Sequence, residues 1–265
     1  MSWWGKVIGG AFGYMLGGPL GAVLGASLGH SFDKKRGVGE TLRFEGPGAQ
    51  QRTQLAFFTA TFAVMGRVAK ADGRVSPHEI EFAKAVMAHM QLDESQRKLA
   101  IDLFNQGKQP EFDLEGALSQ FRRECHRRHT LIQMFLELQV QAAYADGVLD
   151  TAEKKLLLDI FAMLGFSRHE FEHLEAMVRA ARSWGGGGAT AEREPPLSVE
   201  YKVLDVPESA TDAEVKRAYR RLMNQHHPDK LVAKGMPEEM VKIANEKSQQ
   251  IRRSYDRIKK ARGMR

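Results

Sequence analysis

Residues 51–182 carry apolar side chains three and four positions apart, the spacing of helices that bury one face. This segment has no run in which Val, Ile or Thr alternates with polar residues, so no sheet is expected. The pattern therefore predicts an all-helical domain. Its four apolar stripes are Leu55, Phe58, Phe62, Met65 and Ala69; Ile80, Ala83, Val86, Met87 and Met90; the run 131–143; and the run 156–164.

The first thirty residues follow a different pattern, because residues 7–29 contain no charged side chain. A helix of these 23 residues is roughly 35 Å long, enough to cross the apolar core of a bilayer. Trp3 and Trp4 precede the run, where aromatic side chains anchor membrane spans at the interface. The sequence thus predicts a single transmembrane helix over residues 7–29.

The charges on either side of this span predict its orientation. One cation, Lys6, precedes it, whereas the cations of residues 34–36 follow it directly. Positive charge is retained on the cytoplasmic side of a membrane. We therefore expect residues 1–6 in the periplasm, a juxtamembrane segment over 30–50, and the bulk of the chain on the cytoplasmic face of the inner membrane.

A glycine occupies every fourth position of the span. In a helix these glycines form one smooth stripe, along which a second backbone can approach closely, as in membrane helices that associate through G-x-x-x-G. We expect a homodimer through this stripe, while a monomeric span is the alternative. The basic cluster after the run argues against a secretory signal peptide, and the regular spacing argues against a soluble loop. The stripe consists of Gly9, Gly13, Gly17, Gly21, Gly25 and Gly29.

An internal repeat divides the middle segment. Residues 71–79, A-D-G-R-V-S-P-H-E, match residues 145–153, A-D-G-V-L-D-T-A-E, at an offset of 74 positions. In both copies an apolar helix ends at A-D-G, and the next helix opens at Ser76 or Asp150. Glycine at a helix exit and Ser or Asp at a helix start are ordinary cap residues, so capping alone can account for the motif.

The same motif permits a second interpretation, which is a site for a hard cation. Ca²⁺ and Mg²⁺ prefer carboxylate oxygens, although neither copy has the alternating acidic positions of an EF-hand loop. Capping and metal binding both stay open at this point. The carboxylates that would bind the metal are Asp72, Glu79, Asp146, Asp150 and Glu153.

This two-fold A-D-G-x₅-E pattern resembles the tellurite-resistance TerB-like domain. The resemblance covers residues 51–182 through short motifs and implies an all-α fold. It implies no particular activity for this segment.

Cys125 is the one cysteine of the chain and lies within the basic stretch 122–129. Residues adjacent on a helix do not face each other, so we expect a solvated basic face with an incidental cysteine rather than a catalytic Cys–His pair. A single cysteine also excludes an intrachain disulfide and a cysteine-rich zinc module.

Residues 183–197 separate the middle segment from the last one. They contain four consecutive glycines at 185–188 and the pair Pro195-Pro196, a composition typical of a flexible linker. The chain is therefore expected to hold two folding units behind its membrane anchor.

Residues 198–265 predict a helical hairpin preceded by a short helix. The short helix starts at about Tyr201 and ends before Pro207, and residues 211–214 form a capping box that opens the second helix. The third helix is expected over 237–260. The buried positions of the second and third helices are Val215, Ala218, Leu222, Ala244, Ser248, Ile251, Tyr255 and Ile258.

The connection between the two long helices contains the tripeptide H-P-D. The second helix is expected to end near His226, because His227 precedes a proline and is displaced from helical geometry. The tripeptide and Lys230 then lie in a loop at the tip of the hairpin.

The excess positive charge of the chain lies in this last segment. Residues 198–265 carry 16 Lys and Arg against 10 Asp and Glu, whereas residues 1–197 carry 23 of each. The cations crowd one side of the second helix, which fits an acidic protein surface or nucleic-acid phosphates. A membrane tether is awkward for DNA binding, so we expect no nucleic-acid partner.

The string A-Y-R-R-L-M-N-Q-H-H-P-D-K at 218–230 resembles the second helix and signature loop of DnaJ J-domains. J-domains bind the ATP state of DnaK-type chaperones and stimulate hydrolysis there, so the resemblance implies that role for residues 198–265. It assigns the tripeptide required for stimulation to His227, Pro228 and Asp229. It assigns the docking face to Lys216, Arg217, Tyr219, Arg220, Arg221 and Lys230.

The order of the three segments resembles the DjlA family, the membrane-anchored DnaJ-like co-chaperones of Gram-negative bacteria. The Gly/Phe-rich segment and zinc region of a general DnaJ protein are missing, which implies a regulatory co-chaperone. In that family such a role is associated with envelope signalling and capsule polysaccharide induction. The sequence contains no phosphate-binding P-loop, and we expect neither an enzyme activity nor a cofactor. The alternative function is a membrane-bound metal or stress sensor acting through the TerB-like domain.

Overall fold

The structure, a computed structural model, describes residues 18–23, 49–126, 128–185, 196–233 and 241–264 of the 265-residue chain. Regular secondary structure within these ranges is entirely helical, which confirms the predicted fold class. From Ala49 onwards the helices are α1 (Ala49–Ala69), α2 (Pro77–His89), α3 (Glu94–Gly107), α4 (Leu114–Glu124), α5 (His129–Ala143), α6 (Thr151–Leu164), α7 (Arg168–Gly185), α8 (Leu197–Val203), α9 (Asp212–His226), α10 (Pro228–Ala233) and α11 (Val241–Arg262).

Most of the predicted transmembrane helix and its glycine stripe lies outside the described residues. Of the stripe, only Gly21 falls in a described range, the helical segment 18–23. Leu20 of this segment is buried, and its backbone N–H donates to Gln120 Oε1 at 2.8 Å. Within the ranges that the structure describes, no helix is both long enough and apolar enough to cross a membrane.

Helix α1 forms the centre of the TerB-like domain. It packs against α2, α3, α4, α5 and α6, and its consecutive residues Phe62, Ala63 and Val64 are completely buried. A helix whose buried residues surround its axis is stable only when other helices enclose it. The apolar side chains of α1 therefore require the surrounding helices to bury them.

The closest approach in this bundle joins α1 to α3. A Cβ atom at Gly66 would lie 2.0 Å from the carbonyl oxygen of Phe104, and one at Gly107 would lie 1.7 Å from that of Ala63. Neither position has space for a side chain. The two glycines thus set the separation of the helices.

The predicted apolar stripes are largely confirmed, with one correction. Phe62, Met65 and the residues of the second stripe from Ala83 to Met90 are buried, but Ile80 is 41% exposed. The cause is Glu79, which belongs to the capping box of α2 and directs its buried side chain inward in the same turn. Ile80 consequently projects outward.

Cys125 lies in the core at the end of α4. Its side chain is completely buried, and burial raises the pKa of its thiol to about 12. The neighbouring Arg122 and Arg123 are exposed. The basic face is therefore solvated as predicted, whereas the cysteine turns away from it.

Helices α8, α9 and α11 enclose a second core in the J-domain. The capping box at Thr211 is found as predicted. The third helix runs from Val241 to Arg262, and its predicted first residues 237–240 lie outside the described ranges. Two predictions are corrected, because the short helix begins at Leu197 rather than at about Tyr201, and Pro228 begins the short helix α10 where a loop was expected. The J-domain contacts the TerB-like domain, since Ala244 of α11 belongs to the first core. The second core contains Tyr201, Leu204, Ala210, Val215, Ile251, Tyr255 and Ile258.

Replacing Gly66 by Ala tests the close approach of α1 and α3. Helix propensity alone favours this change by about 1 kcal/mol. Because the added methyl group meets a backbone oxygen, we expect instead a loss of about 1–3 kcal/mol in the free energy of unfolding. Chemical denaturation in detergent measures the loss, with the exposed Asn105→Ala in α3 as control. Equal stability of G66A and the wild type would refute the steric explanation.

Candidate functional site

The helix that carries the predicted docking face is fixed at its first turn. The Thr211 hydroxyl accepts the Glu214 N–H, and Glu214 Oε2 accepts the Thr211 N–H at 2.7 Å. Two unpaired N–H groups of α9 are thereby satisfied by one reciprocal cap. The residues Val215 and Ala218 then face the J-domain core, which leaves the cationic side of α9 in water.

The H-P-D tripeptide sits at the other end of α9. His227 adopts an extended conformation (φ −64°, ψ 123°), as expected for a residue that precedes proline. Pro228 starts α10, so His227 is the one residue between the two helices. The side chains of His227 and Asp229 are 47% and 91% exposed, with Nδ1 and Oδ2 4.0 Å apart. The imidazole and the carboxylate are therefore exposed side by side at the surface.

The base of this loop is buried and attached to α11. The Ser248 hydroxyl donates to the carbonyl oxygen of His226 at 2.7 Å. Burial, with a smaller contribution from the positive charge of Lys247, lowers the pKa of His226 to about 4. His226 is therefore neutral at physiological pH. Sequence reasoning did not assign Ser248 or His226 to the site. The signal that could have found Ser248 is its position as a serine within the apolar stripe of the third helix.

The predicted cationic face divides into two groups. Lys216, Arg217 and Arg220 are exposed on α9. Arg221 contacts Asp205 at 3.1 Å, and Lys230 donates to the side chain of Asn224. The first group is directed to solvent, whereas the second also braces the J-domain.

Tyr219 differs from the other members of the predicted face. It is half-buried and stacks on Tyr255 of α11, with ring centroids 4.1 Å apart and an interplanar angle of 13°. This contact makes Tyr219 part of the packing between α9 and α11.

Arg262, at the end of α11, contacts several other parts of the J-domain. Its guanidinium lies 4.9 Å from the Tyr201 ring centroid and donates to the carbonyl oxygens of Glu208 and Ala210 at 2.7 and 2.6 Å. It also contacts Asp212 at 3.1 Å. One cation thus joins α8, α9 and the connection between them. Sequence reasoning missed this contact because the partners lie 50 to 61 residues away.

The carboxylates of the internal repeat occupy two kinds of position. Asp72 and Asp146 accept backbone N–H groups of their own turns, at 2.7 and 3.0 Å, and Asp150 accepts the Ala152 N–H at 2.7 Å. Gly73 and Gly147 adopt φ of 91° and 98°, a conformation that favours glycine. The capping interpretation is therefore confirmed for these turns.

Glu79 and Glu153 form the second kind, a buried pair that joins the two repeats. Each accepts a backbone N–H of its own capping box, and their carboxyl groups interact with each other. Burial raises the pKa of both, that of Glu153 to about 8, with the charge of Glu79 adding to the effect. The raised pKa favours the protonated form of Glu153 at neutral pH.

No three His, Cys, Asp or Glu side chains of the described residues are placed to hold a metal ion. The metal site at Asp72, Glu79, Asp146, Asp150 and Glu153 stays a prediction.

Comparison with known proteins gives three family matches along the chain. Residues 1–52 match the co-chaperone DjlA transmembrane domain, residues 58–176 match the tellurite resistance protein TerB, and residues 200–262 match the DnaJ domain. The order is the one that the sequence predicts. No solved structure matches the chain.

Full-length relatives decide the family. The chain is 46% identical to the co-chaperone protein DjlA of Photobacterium profundum, over 98% of this chain and 99% of the relative. It is 45% identical to that of Shewanella oneidensis and 42% identical to that of Coxiella burnetii, in both cases over the whole of each chain. The chain belongs to the DjlA family of co-chaperones. Membership of this family gives the chain a co-chaperone role and accounts for the match of residues 1–52 to a DjlA transmembrane domain.

The Glu79–Glu153 pair predicts an unusual pH dependence for a DjlA protein. Because the folded-state pKa of Glu153 is raised from 4.5 to about 8, its protonation stabilises the fold at low pH, and that stability is lost as pH rises to about 8. Glu153→Gln keeps the acceptor for the cap and removes the charge. We expect the variant to gain on the order of 2 kcal/mol over the wild type at pH 9, measured by chemical denaturation.

The substitution Glu170→Gln in α7 is a control for which the expected change in stability with pH has the opposite sign. Its carboxylate accepts the Ser167 N–H at 2.7 Å, which lowers the pKa of Glu170. The stability that this carboxylate contributes is present at neutral pH and lost on acidification. The free energy of unfolding of E170Q should therefore fall furthest below that of the wild type near pH 7. An E153Q variant whose pH profile equals that of the wild type would contradict the raised pKa of Glu153.

Proposed function

We propose that this chain is a regulatory co-chaperone, anchored in the inner membrane, that binds a DnaK-type chaperone through its J-domain and stimulates ATP hydrolysis there. The observation that carries the proposal is the joint exposure of His227 and Asp229 beside the cationic side of α9. The ATP chemistry belongs to the partner, and this chain supplies binding and orientation without being an enzyme itself.

The two parts of the surface act at different stages of binding. The exposed cations Lys216, Arg217 and Arg220 attract an acidic face of the partner and orient the encounter, an effect that salt screens. His227 and Asp229 then make directional hydrogen bonds, which long-range attraction alone does not provide. Docking rate and stimulation should therefore depend on different residues.

The membrane anchor gives this activity a location. We propose that residues 7–29 span the inner membrane once, with residues 1–6 in the periplasm and both folded domains in the cytoplasm. Insertion requires residues 18–23 to leave their contact with Gln120 of α4. DnaK would then be recruited to the membrane rather than to soluble clients. The envelope-signalling role that the resemblance implies stays a prediction, as does the metal- or stress-sensor alternative.

The substitution His227→Gln tests stimulation. It removes the imidazole from an exposed position, so the fold should persist while stimulation of DnaK falls to the basal rate. Single-turnover ATP hydrolysis by DnaK with the full-length chain in lipid nanodiscs measures the effect. The exposed His169→Gln in α7 is the matched control and should stimulate like the wild type. A folded H227Q variant with full stimulation would exclude this function for the tripeptide.

The glycine stripe generates a separate prediction about assembly. Gly17→Leu and Gly21→Leu should each weaken dimerisation, because a large side chain separates two backbones that meet at small residues. Energy transfer between donor- and acceptor-labelled chains in lipid vesicles reports the dimer. Gly10→Leu lies off the stripe and should have little effect. Unchanged transfer in both stripe variants would reject the glycine interface.

A further inference from the structure

A shielded ion pair links the two domains. Glu137 of α5 and Lys247 of α11 approach to 2.7 Å, and their side chains are only 19% and 20% exposed. Two further ion pairs between the domains, in the described ranges, each join a histidine to a carboxylate. The side chains of these pairs are at least 40% exposed. Those contacts are His89–Glu246 at 3.1 Å and His173–Asp205 at 3.5 Å.

The shielded pair is the one expected to hold the domains in register. Exposed pairs contribute little, because water and salt screen them. A shielded pair is screened less, and removal of one partner leaves the other charge poorly solvated. Ala244, one turn before Lys247, is completely buried in the core of the TerB-like domain. Apolar packing and charge pairing thus act on the same turn of α11.

The same turn of α11 also holds the base of the H-P-D loop. Ser248, the residue after Lys247, donates its hydroxyl hydrogen to the carbonyl oxygen of His226. The buried Nδ1 atom of His226 has no hydrogen-bond partner, so packing and this carbonyl contact position the residue. Since His226 directly precedes His227, a shift of the turn would move the tripeptide.

We infer that Glu137, a residue of the TerB-like domain, is a positioning residue for the H-P-D loop of the J-domain. It acts through Lys247, which fixes the turn of α11 whose next residue, Ser248, holds His226. The inference deepens the proposed function and rests on it. It makes stimulation of the chaperone depend on a domain that does not carry the docking face.

Charge reversal across the pair tests this inference in the full-length chain in lipid nanodiscs. Glu137→Lys and Lys247→Glu each place like charges together, and the double variant restores opposite charges. One measurement is amide hydrogen exchange in residues 226–230 and 244–250, which reports attachment of the loop. The other is stimulation of DnaK against chain concentration, which separates maximal stimulation from the half-saturating concentration.

Each single reversal should accelerate exchange in these segments. It should lower maximal stimulation by roughly two- to tenfold, the lower half of the range of coupling energies for residues in direct contact. The half-saturating concentration should change less, because the cationic side of α9 is intact. The double variant should recover both properties. A packing defect that one new side chain causes in its own surroundings would not be repaired by the second charge reversal.

Two charge reversals outside the contact serve as controls. Glu111→Lys and Lys260→Glu change exposed residues of the two domains and should leave exchange and stimulation unchanged. Unaltered stimulation in both single reversals, or no recovery in the double variant, would overturn the inference alone. A wild-type chain that fails to stimulate DnaK would overturn the proposed function and the inference with it, while the exchange measurement would still report the link between the domains.

Discussion

The enclosure of α1 is the constraint on which the arrangement of the whole chain depends. A helix whose buried residues surround its axis must be covered by its neighbours, and five helices of the described part of the chain pack against it. The contact at Gly66 and Gly107 places α3 against one side. Helix α5 covers another side and so presents Glu137 outward, where α11 meets it. The position of the J-domain on its neighbour is thus a consequence of how α1 is buried.

The polar groups of the J-domain have two roles, which depend on whether they are buried or exposed. Buried or braced groups, such as Ser248, Tyr219 and Arg262, hold the helices in a fixed relation. Exposed groups, such as His227 and Lys216, have few contacts within the domain and are available to a partner. A rigid hairpin that ends in exposed polar groups suits a co-chaperone, because these groups need not reorganise when a partner binds.

Local features of the sequence predicted the local parts of the structure. The capping box at Thr211, the end of α9 before Pro228 and the repeated glycine turns each follow from a few neighbouring residues. Contacts between distant residues could not be found in this way. Glu79 and Glu153 are separated by 74 positions and Glu137 and Lys247 by 110, and helical periodicity does not indicate which faces will meet.

Tyr219 and Ile80 show that the sequence pattern alone does not predict which side chains of a helix are buried. The spacing of Tyr219 places it next to the cations of α9, yet its ring packs on Tyr255 because a flat apolar surface is available there. Ile80 is the converse, an apolar residue exposed because the cap of its helix takes the inward position. In both cases tertiary packing decides which of two adjacent faces is buried, and the pattern alone does not.

The burial of Cys125 has a practical consequence for work on this protein. A thiol that stays protonated at neutral pH and has no access to solvent reacts poorly with maleimides and similar reagents. A cysteine introduced at an exposed position is then the one that takes up a spin label or fluorophore. Spectroscopic probes can therefore be attached to the native chain without first removing its own cysteine, whose place in the core a smaller residue would leave empty.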